Sequence, residues 1–114
     1  MISKQEDDFL NYLNVPNTEK NRQIKILRKK VDGYDPYTNT IYEFLGDYWH
    51  GNPTIFKCNE MNYHCQKTFR CLYEETFNRF KLLKENGYNV KYIWEIDWEN
   101  WNKNKNLPLP LKNF

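Results

Sequence analysis

The chain has 114 residues, a formal net charge of +2, 39% hydrophobic residues and 28% charged residues. This length supports one domain, residues 1–114, with its own core. No run approaches the ~20 apolar residues of a membrane span, and the N-terminus lacks a signal-peptide pattern. Three cysteines are an odd number, which disfavours a disulfide framework. We therefore expect a soluble, intracellular protein with no membrane partner.

The first predicted helix starts near the beginning of the chain. Ser3-Lys4-Gln5-Glu6 has the form of a capping box, and Phe9, Leu10 and Leu13 follow at helical spacing. Glu6 precedes Phe9 and Leu10 by three and four residues, so it shares their inward face. Two interpretations are open: Glu6 only closes the capping box, or its carboxylate reaches a site on a neighbouring element.

A basic segment follows this helix. Asn21–Val31 contains no acidic residue, and six lysines and arginines lie within Lys20–Lys30. Gln23–Leu27 is predicted to be a strand because apolar and polar residues alternate along it. The segment is either an edge that faces phosphates or an ordinary sheet edge protected by lysines, and both interpretations are open.

The stretch Val31–Gly51 is the centre of the predicted organisation. Val31–Tyr34 is the expected first strand, and Ile41–Leu45, which is β-branched and aromatic in composition, is the second. Between them, Asp35-Pro36-Tyr37-Thr38 has turn chemistry, with Asp at the first position and Pro at the second. The stretch therefore predicts a β-hairpin that runs into an aromatic-rich loop.

The register of this hairpin places two acids together. If Pro36–Asn39 form the loop, Tyr34 pairs with Ile41 and Asp32 lies opposite Glu43. Like charges directly opposite each other destabilise a sheet, so such a pair favours a cation between the carboxylates. The register therefore predicts a metal site at Asp32 and Glu43.

The second half of the chain predicts a long helix and a buried strand. The helix is expected from Thr68 to about Asn86, with Gly87 in the stop position. Asn89–Trp94 is predicted to be a strand parallel to one hairpin strand, since a long helix separates them. The tail, residues 97–110, is expected to be partly extended. This order of elements predicts a small α/β domain with a mixed sheet.

Three segments carry a resemblance to a known group of proteins. They are Val31–Tyr34, Tyr42–Pro53 (YEFLGDYWHGNP) and Leu82–Glu95 (LLKENGYNVKYIWE). They resemble the PD-(D/E)xK nuclease superfamily, more narrowly the very-short-patch mismatch repair endonucleases, and similar small proteins of large DNA viruses. The resemblance implies a restriction-endonuclease-like mixed β-sheet flanked by helices. It also implies a metal-dependent DNA endonuclease, in the cytoplasm or nucleus of a host cell if the protein is viral.

The resemblance assigns the metal ligands and a helix acid. The metal-binding Asp of the family falls on Asp32, and the acid of its second strand falls on Glu43. The expected ion is Mg²⁺ or Mn²⁺. The helix acid of the family falls on Glu6, which implies that the second interpretation of this residue applies.

One family residue is missing. The superfamily lysine two residues after the second acid is Leu45 here, and a leucine cannot position or deprotonate water. His50 is the expected substitute as general base or acid, because its titration range suits neutral pH. Lys91 is a second candidate, and a third possibility is that the metal alone activates water.

The resemblance also implies DNA contacts. Tyr48 and Trp49 fall on the aromatic pair that inserts into DNA in the repair enzymes. Arg79 either faces the phosphate backbone or forms an ion pair, for which Glu95 at the end of the last strand is a candidate partner. The predicted basic contacts to DNA are Arg28, Lys29, Lys30 and Arg79.

Two further alternatives are open. A structural Zn²⁺ site could draw on Cys58, His64, Cys65 and Cys71, but their spacing is not a standard zinc pattern, and free thiols are expected. The chain could also be a non-catalytic DNA-binding module that retains the nuclease fold, which Leu45 favours. The sequence allows a monomer or a homodimer.

Overall fold

The computed structural model describes residues 3–114, in which helices cover both faces of a mixed β-sheet. The helices are α1 (Lys4–Tyr12), α2 (Asp47–His50), α3 (Phe69–Glu85) and α4 (Glu95–Lys103). The strands are β1 (Arg22–Ile26), β2 (Lys29–Asp35), β3 (Thr40–Leu45), β4 (Met61–Asn62), β5 (Lys67–Thr68), β6 (Asn89–Trp94) and β7 (Lys112–Asn113). The large sheet has the order β1-β2-β3-β6-β7, and β4 and β5 form a separate small hairpin.

The predicted hairpin register is confirmed. Tyr34 pairs with Ile41 and Gly33 with Tyr42 in the antiparallel ladder between β2 and β3. Asp35 has a turn role, since its Oδ1 accepts the N–H of Tyr37 at 2.9 Å. The prediction of a parallel strand is also confirmed, because β6 runs parallel to β3 after the crossover through α3.

Two apolar layers hold the helices to the sheet. On one face, Phe80 and Leu83 of α3 pack against Ile41 and Leu45 of β3. On the other face, the aromatic and aliphatic residues of α1 and α4 cover the sheet, namely Phe9, Leu10, Trp98 and Trp101 against Phe44 and Ile93. The predicted caps are present: Ser3 Oγ accepts the N–H of Glu6, and Thr68 Oγ1 accepts the N–H of Cys71, each at 3.1 Å.

The expectation of an extended tail is wrong over residues 97–103, which are helical. Glu95 begins α4 instead of simply ending a strand. Trp94, Trp98 and Trp101 recur at spacings of four and three, and the last two are buried against α1. The aromatic burial of this face stabilises the helix. No helix in residues 3–114 combines the length and apolar character that crossing a membrane requires.

Candidate functional site

The carboxylates of Asp32 and Glu43 lie between β2 and β3, just beyond the end of their backbone ladder. The ladder stops at Gly33 and Tyr42. Beyond it, the N–H of Asp32 donates to Glu43 Oε2 at 3.1 Å, and the N–H of Phe44 donates to Asp32 Oδ2 at 2.8 Å. The structure therefore places the two predicted acids side by side, with Glu43 only 2% exposed. Their hydrogen bonds to the backbone replace the missing ladder bonds and fix the orientation of both side chains.

Strand β1 is distorted where it passes Asp32. The ladder to β2 omits Gln23, whose φ of +54° lies in the left-handed region, which is unfavourable for residues other than glycine. Arg22 and Gln23 consequently both turn toward α1. Arg22 Nη2 donates to Asn11 Oδ1 at 2.8 Å, and Gln23 Nε2 donates to Glu6 Oε2. The distortion joins the helix acid to the strand beside Asp32.

Burial and mutual repulsion raise the pKa of two acids in this site. The pKa of Glu6 is raised to about 7, first by burial and then by the charge of Glu43, while Lys30 opposes the shift. The pKa of Asp32 is raised well above its usual value by burial, by Glu43 and by Glu6. Of the two interpretations of Glu6, the structure contains the second: Ser3 caps its backbone N–H, while its carboxylate accepts from Gln23 and interacts with the charges of the pair. The acids share a site in which added positive charge or a proton is favourable.

The donor set fits a hard divalent cation. Mg²⁺ is commonly held by one or two carboxylates, with water and substrate phosphate oxygens completing its shell. Asp32 and Glu43 match the protein part of that set. Among residues 3–114, no three Cys, His, Asp or Glu side chains are placed to hold one metal ion together. The protein part of the candidate site is therefore a pair of carboxylates.

Arg79 of α3 forms an ion pair with this carboxylate pair. Its Nη1 bonds Glu43 Oε1, and the same nitrogen lies 3.4 Å from the carbonyl oxygen of Lys30. The expected alternative partner, Glu95, is engaged elsewhere: its Oε1 accepts the N–H of Asp47 at 3.1 Å. Of the two interpretations of Arg79, the structure contains the ion pair, but its partner is Glu43 and not Glu95.

His50 lies at the end of α2, close to Glu43 and Arg79. Burial lowers its pKa to about 4, although the charge of Glu43 acts in the opposite direction. Its Nδ1 lies 2.8 Å from Thr76 Oγ1, and the Thr76 hydroxyl donates to the carbonyl of Leu72 at 2.9 Å. Because the only hydroxyl proton of Thr76 is used in that bond, Nδ1 must carry the proton that joins the two side chains. A pKa of about 4 makes the neutral imidazole the dominant form near neutral pH, and with the proton on Nδ1 its lone pair lies on Nε2.

A glycine allows α2 to dock against α3. Gly51 follows His50 with φ of +66°, and a Cβ at this position would lie 2.1 Å from the carbonyl oxygen of Phe69. Asp47, at the other end of α2, bonds the Asn52 amide at 2.8 Å in addition to its contact with Glu95. Asp47 therefore has a structural role. These contacts position Trp49 and His50.

The two predicted base-contacting aromatic residues differ in their surroundings. Trp49 is 53% exposed. Tyr48 instead packs against Phe56 and Phe69, and its hydroxyl lies 2.7 Å from His64 Nδ1. The indole of Trp49 is therefore accessible to a ligand. The ring of Tyr48 packs edge-on against it, with the ring centroids 5.1 Å apart.

Two grooves meet at Trp49 and His50. A groove of about 700 Å³ lies on the α3 side, and its charged residues are Lys29, Arg79 and Lys67, the last of which is paired with Glu75. A groove of about 520 Å³ lies on the α1 side and contains Glu6 and Glu95. Trp49 and His50 thus form a ridge between a basic groove and an acidic groove, with Glu43 close to the basic one.

The basic segment is only partly available to a ligand. Lys29 and Lys30 are exposed on β2, and Arg28 is exposed in the two-residue turn before it. Arg22, in contrast, is 7% exposed and bound to α1, so the interpretation of the whole segment as a phosphate-facing edge is wrong at this residue. Nothing in the composition of this basic run indicates that one of its arginines is buried.

Leu45 and Lys91 have surroundings other than the carboxylate pair. Leu45 is buried in the core between β3 and α3 and has no polar function. Lys91 lines a different groove together with Thr38 and Phe114. Of the two side chains considered as a proton acceptor, only His50 is near the carboxylate pair.

The side chains considered as Zn²⁺ ligands contact different residues. Cys58 accepts from Arg70 Nη2 at 3.1 Å, Cys71 lies 3.8 Å from Glu75, and His64 bonds Tyr48.

The roles of two residues of the site were not predicted from the sequence. Gln23 was not singled out, because a lone glutamine in a strand has no distinctive pattern. The role of Thr76 as the partner of His50 was also missed, because the two residues are 26 positions apart and meet only through the packing of α2 on α3.

Comparison of the chain with protein-family models, with curated proteins and with solved structures finds no match. The proposed function therefore rests on the chemistry of the site.

Proposed function

We propose that the protein is a divalent-cation-dependent DNA endonuclease of the restriction-endonuclease-like type. The observation that carries this proposal is the carboxylate pair, Asp32 and Glu43, in the gap between β2 and β3. Glu43 is buried and Asp32 is partly buried, and two such acids that repel each other are costly unless a cation joins them. Mg²⁺ or Mn²⁺ held by this pair would lower the pKa of an attacking water and stabilise charge on the scissile phosphate.

The side chains around the pair supply the other functions that such a reaction needs. His50 is neutral, so its Nε2 can accept a proton. A pKa of about 4 makes it a weak base, and we expect the negative charge of a bound phosphate to raise that pKa. Lys29 lines the basic groove and Arg28 is exposed next to it in sequence, so both would bind backbone phosphates, and the exposed indole of Trp49 would stack on a base.

Plasmid cleavage tests the proposal. We expect the wild type to nick or cut a supercoiled plasmid with Mg²⁺ or Mn²⁺ and to be inactive in excess chelator. Asp32→Asn and Glu43→Gln should each lower the cleavage rate by at least ~100-fold, because each removes a ligand charge. Asp35→Asn is the matched control, since that acid serves the turn and should be neutral in the assay. Cleavage that survives both substitutions would refute the site.

A non-catalytic DNA-binding module is the second candidate. It is favoured by Leu45, which stands where the superfamily has its lysine, and by the guanidinium of Arg79, which already neutralises Glu43. DNA binding by gel shift, with no cleavage in any divalent cation, would favour this candidate over the nuclease.

A further inference from the structure

The guanidinium of Arg79 is bound to one of the two carboxylates that the proposed metal site needs. Glu43 Oε2 accepts the N–H of Asp32, and Glu43 Oε1 is bonded to Arg79 Nη1. Both oxygens therefore already have protein partners. A divalent cation beside Glu43 would also lie close to the positive charge of Arg79, and this repulsion opposes its binding.

We propose that Arg79 is a resident counter-ion that couples metal binding to nucleic-acid binding. Arg79 has to release Glu43 before that carboxylate can take a divalent cation, and the released guanidinium then binds a phosphate in the adjacent basic groove. The inference rests on the proposed function, since it concerns the same acids. It goes further by predicting that metal and nucleic acid strengthen each other's binding.

The surroundings of Arg79 permit this change of partner. Glu43 is almost fully buried, whereas the Arg79 side chain is 20% exposed and lines the groove that also contains Lys29. Its second polar contact, 3.4 Å to the Lys30 carbonyl, is long, and the guanidinium also lies 5.1 Å from the centroid of the Phe80 ring. The contact with Glu43 is thus the main polar restraint on a long, flexible side chain. Two oxygens of a phosphate can accept hydrogen bonds from one guanidinium, as the two oxygens of a carboxylate can.

Thermodynamic linkage makes the coupling reciprocal. If a phosphate that captures Arg79 raises the affinity for the metal by some factor, the metal raises the affinity for nucleic acid by the same factor. In the free protein, Arg79 would keep the metal affinity low. In the complex, the carboxylates would lose their internal counter-ion and gain affinity for the metal.

Calorimetric titration of the full chain with Mn²⁺ tests the coupling. The variants are Arg79→Met, which keeps the length of the side chain without its charge, and Arg70→Met, a matched control on the same helix whose guanidinium contacts Cys58 instead. Without nucleic acid, we expect Arg79→Met to bind Mn²⁺ at least ~10-fold more tightly than the wild type. Arg70→Met should equal the wild type, since of these two arginines only Arg79 contacts an acid of the site. A non-cleavable duplex should tighten Mn²⁺ binding to the wild type by a larger factor than to Arg79→Met, because its phosphate oxygens contact the ion in both proteins but displace a counter-ion only in the wild type. Equal or weaker Mn²⁺ binding by Arg79→Met would overturn the inference.

Thermal unfolding distinguishes a folding defect from a change in metal affinity. Removal of Arg79 leaves the Glu43 charge unpaired, so we expect a lower Tm without metal and a larger rise of Tm on adding Mn²⁺ than in the wild type. Arg79→Lys, which keeps the charge but not the guanidinium geometry, is the second variant and should show an intermediate Mn²⁺ affinity. If the wild type cleaves plasmid but neither variant binds Mn²⁺ more tightly, only the coupling is wrong. If neither the wild type nor any variant binds Mn²⁺, the proposed metal-dependent function fails as well.

Discussion

Gln23 and Glu6 are joined by a hydrogen bond that links a strained point of β1 to the helix acid. The side-chain amide of Gln23 donates to Glu6 Oε2, and the backbone of Gln23 has φ of +54°. A left-handed conformation within a strand is unfavourable for a residue with a Cβ. Strained backbone of this kind is concentrated at functional sites. Here the strained conformation of Gln23 directs its amide toward Glu6, an acid beside Asp32.

We expect replacement of Gln23 to change the cleavage rate much more than the free energy of unfolding. Gln23→Gly relieves the left-handed strain but increases the freedom of the unfolded chain, so we expect the free energy of unfolding to stay within about 1 kcal/mol of the wild type. Metal-dependent cleavage should fall, because Glu6 loses the amide that orients it. Urea unfolding and plasmid cleavage measure the two quantities. Lys25→Gly, at an exposed position of the same strand, is the control and should cleave at close to the wild-type rate.

The raised pKa of Glu6 predicts a pH-dependent effect of Glu6→Gln. The folded protein holds a proton on Glu6 up to about pH 7, whereas the unfolded chain releases it near the ordinary value of 4.5. The ionised acid thus costs stability as the pH rises through this window, and the amide does not. We expect Glu6→Gln to match the wild type below pH 4.5 and to be more stable above pH 7. Because the side chain is partly solvated, the gain should be about 1–2 kcal/mol.

Chemical unfolding at several pH values, without divalent cations, checks this prediction. The control is Asp8→Asn, which neutralises an acid on the same helix whose carboxylate forms an exposed ion pair with Lys4, and it should show no gain above pH 7. A constant difference between Glu6→Gln and the wild type across the pH range would contradict the assignment of the raised pKa to Glu6.

The sequence was most informative where local rules set the structure. The Asp-Pro turn determined the hairpin register, and Ser3 and Thr68 marked helix starts, because caps and turns depend on near neighbours. The helix α4 was missed because its stability comes from burying Trp98 and Trp101 against a distant helix. The same limit applies to the site: the facing of Asp32 and Glu43 followed from register, whereas the partners of Arg79, His50 and Gln23 depend on tertiary packing.

Thr76 orients His50, and its hydroxyl can be removed with little change in shape. Thr76→Val leaves Nδ1–H of the imidazole without its acceptor, so both ring orientations and tautomers become accessible. We expect the cleavage rate to fall about 10- to 100-fold, and Thr76→Ser to restore it. The pH profile of cleavage should shift in Thr76→Val, because the hydrogen bond helps to fix the protonation state of His50. An unchanged rate and pH profile in a folded Thr76→Val protein would refute the positioning role.

Trp49 and Tyr48 are adjacent, and the structure predicts opposite consequences of losing them. Trp49 is half exposed, so Trp49→Ala should lower the free energy of unfolding by only about 1 kcal/mol. If Trp49 stacks on a base, the same substitution should weaken DNA binding by about 1–3 kcal/mol. Tyr48 lies among Phe56, Phe69 and His64, so Tyr48→Ala should cost about 3 kcal/mol of stability.

Fluorescence anisotropy with a labelled duplex and urea unfolding separate these two effects. Tyr48→Phe keeps the ring and removes only the hydroxyl that contacts His64, so we expect most of the stability and DNA affinity to remain. Trp49→Phe keeps a flat ring and should recover part of the affinity lost in Trp49→Ala, because every aromatic face can stack on a base. DNA affinity that is unchanged in Trp49→Ala would place the exposed indole outside the nucleic-acid interface, and the basic groove alone would then have to account for binding.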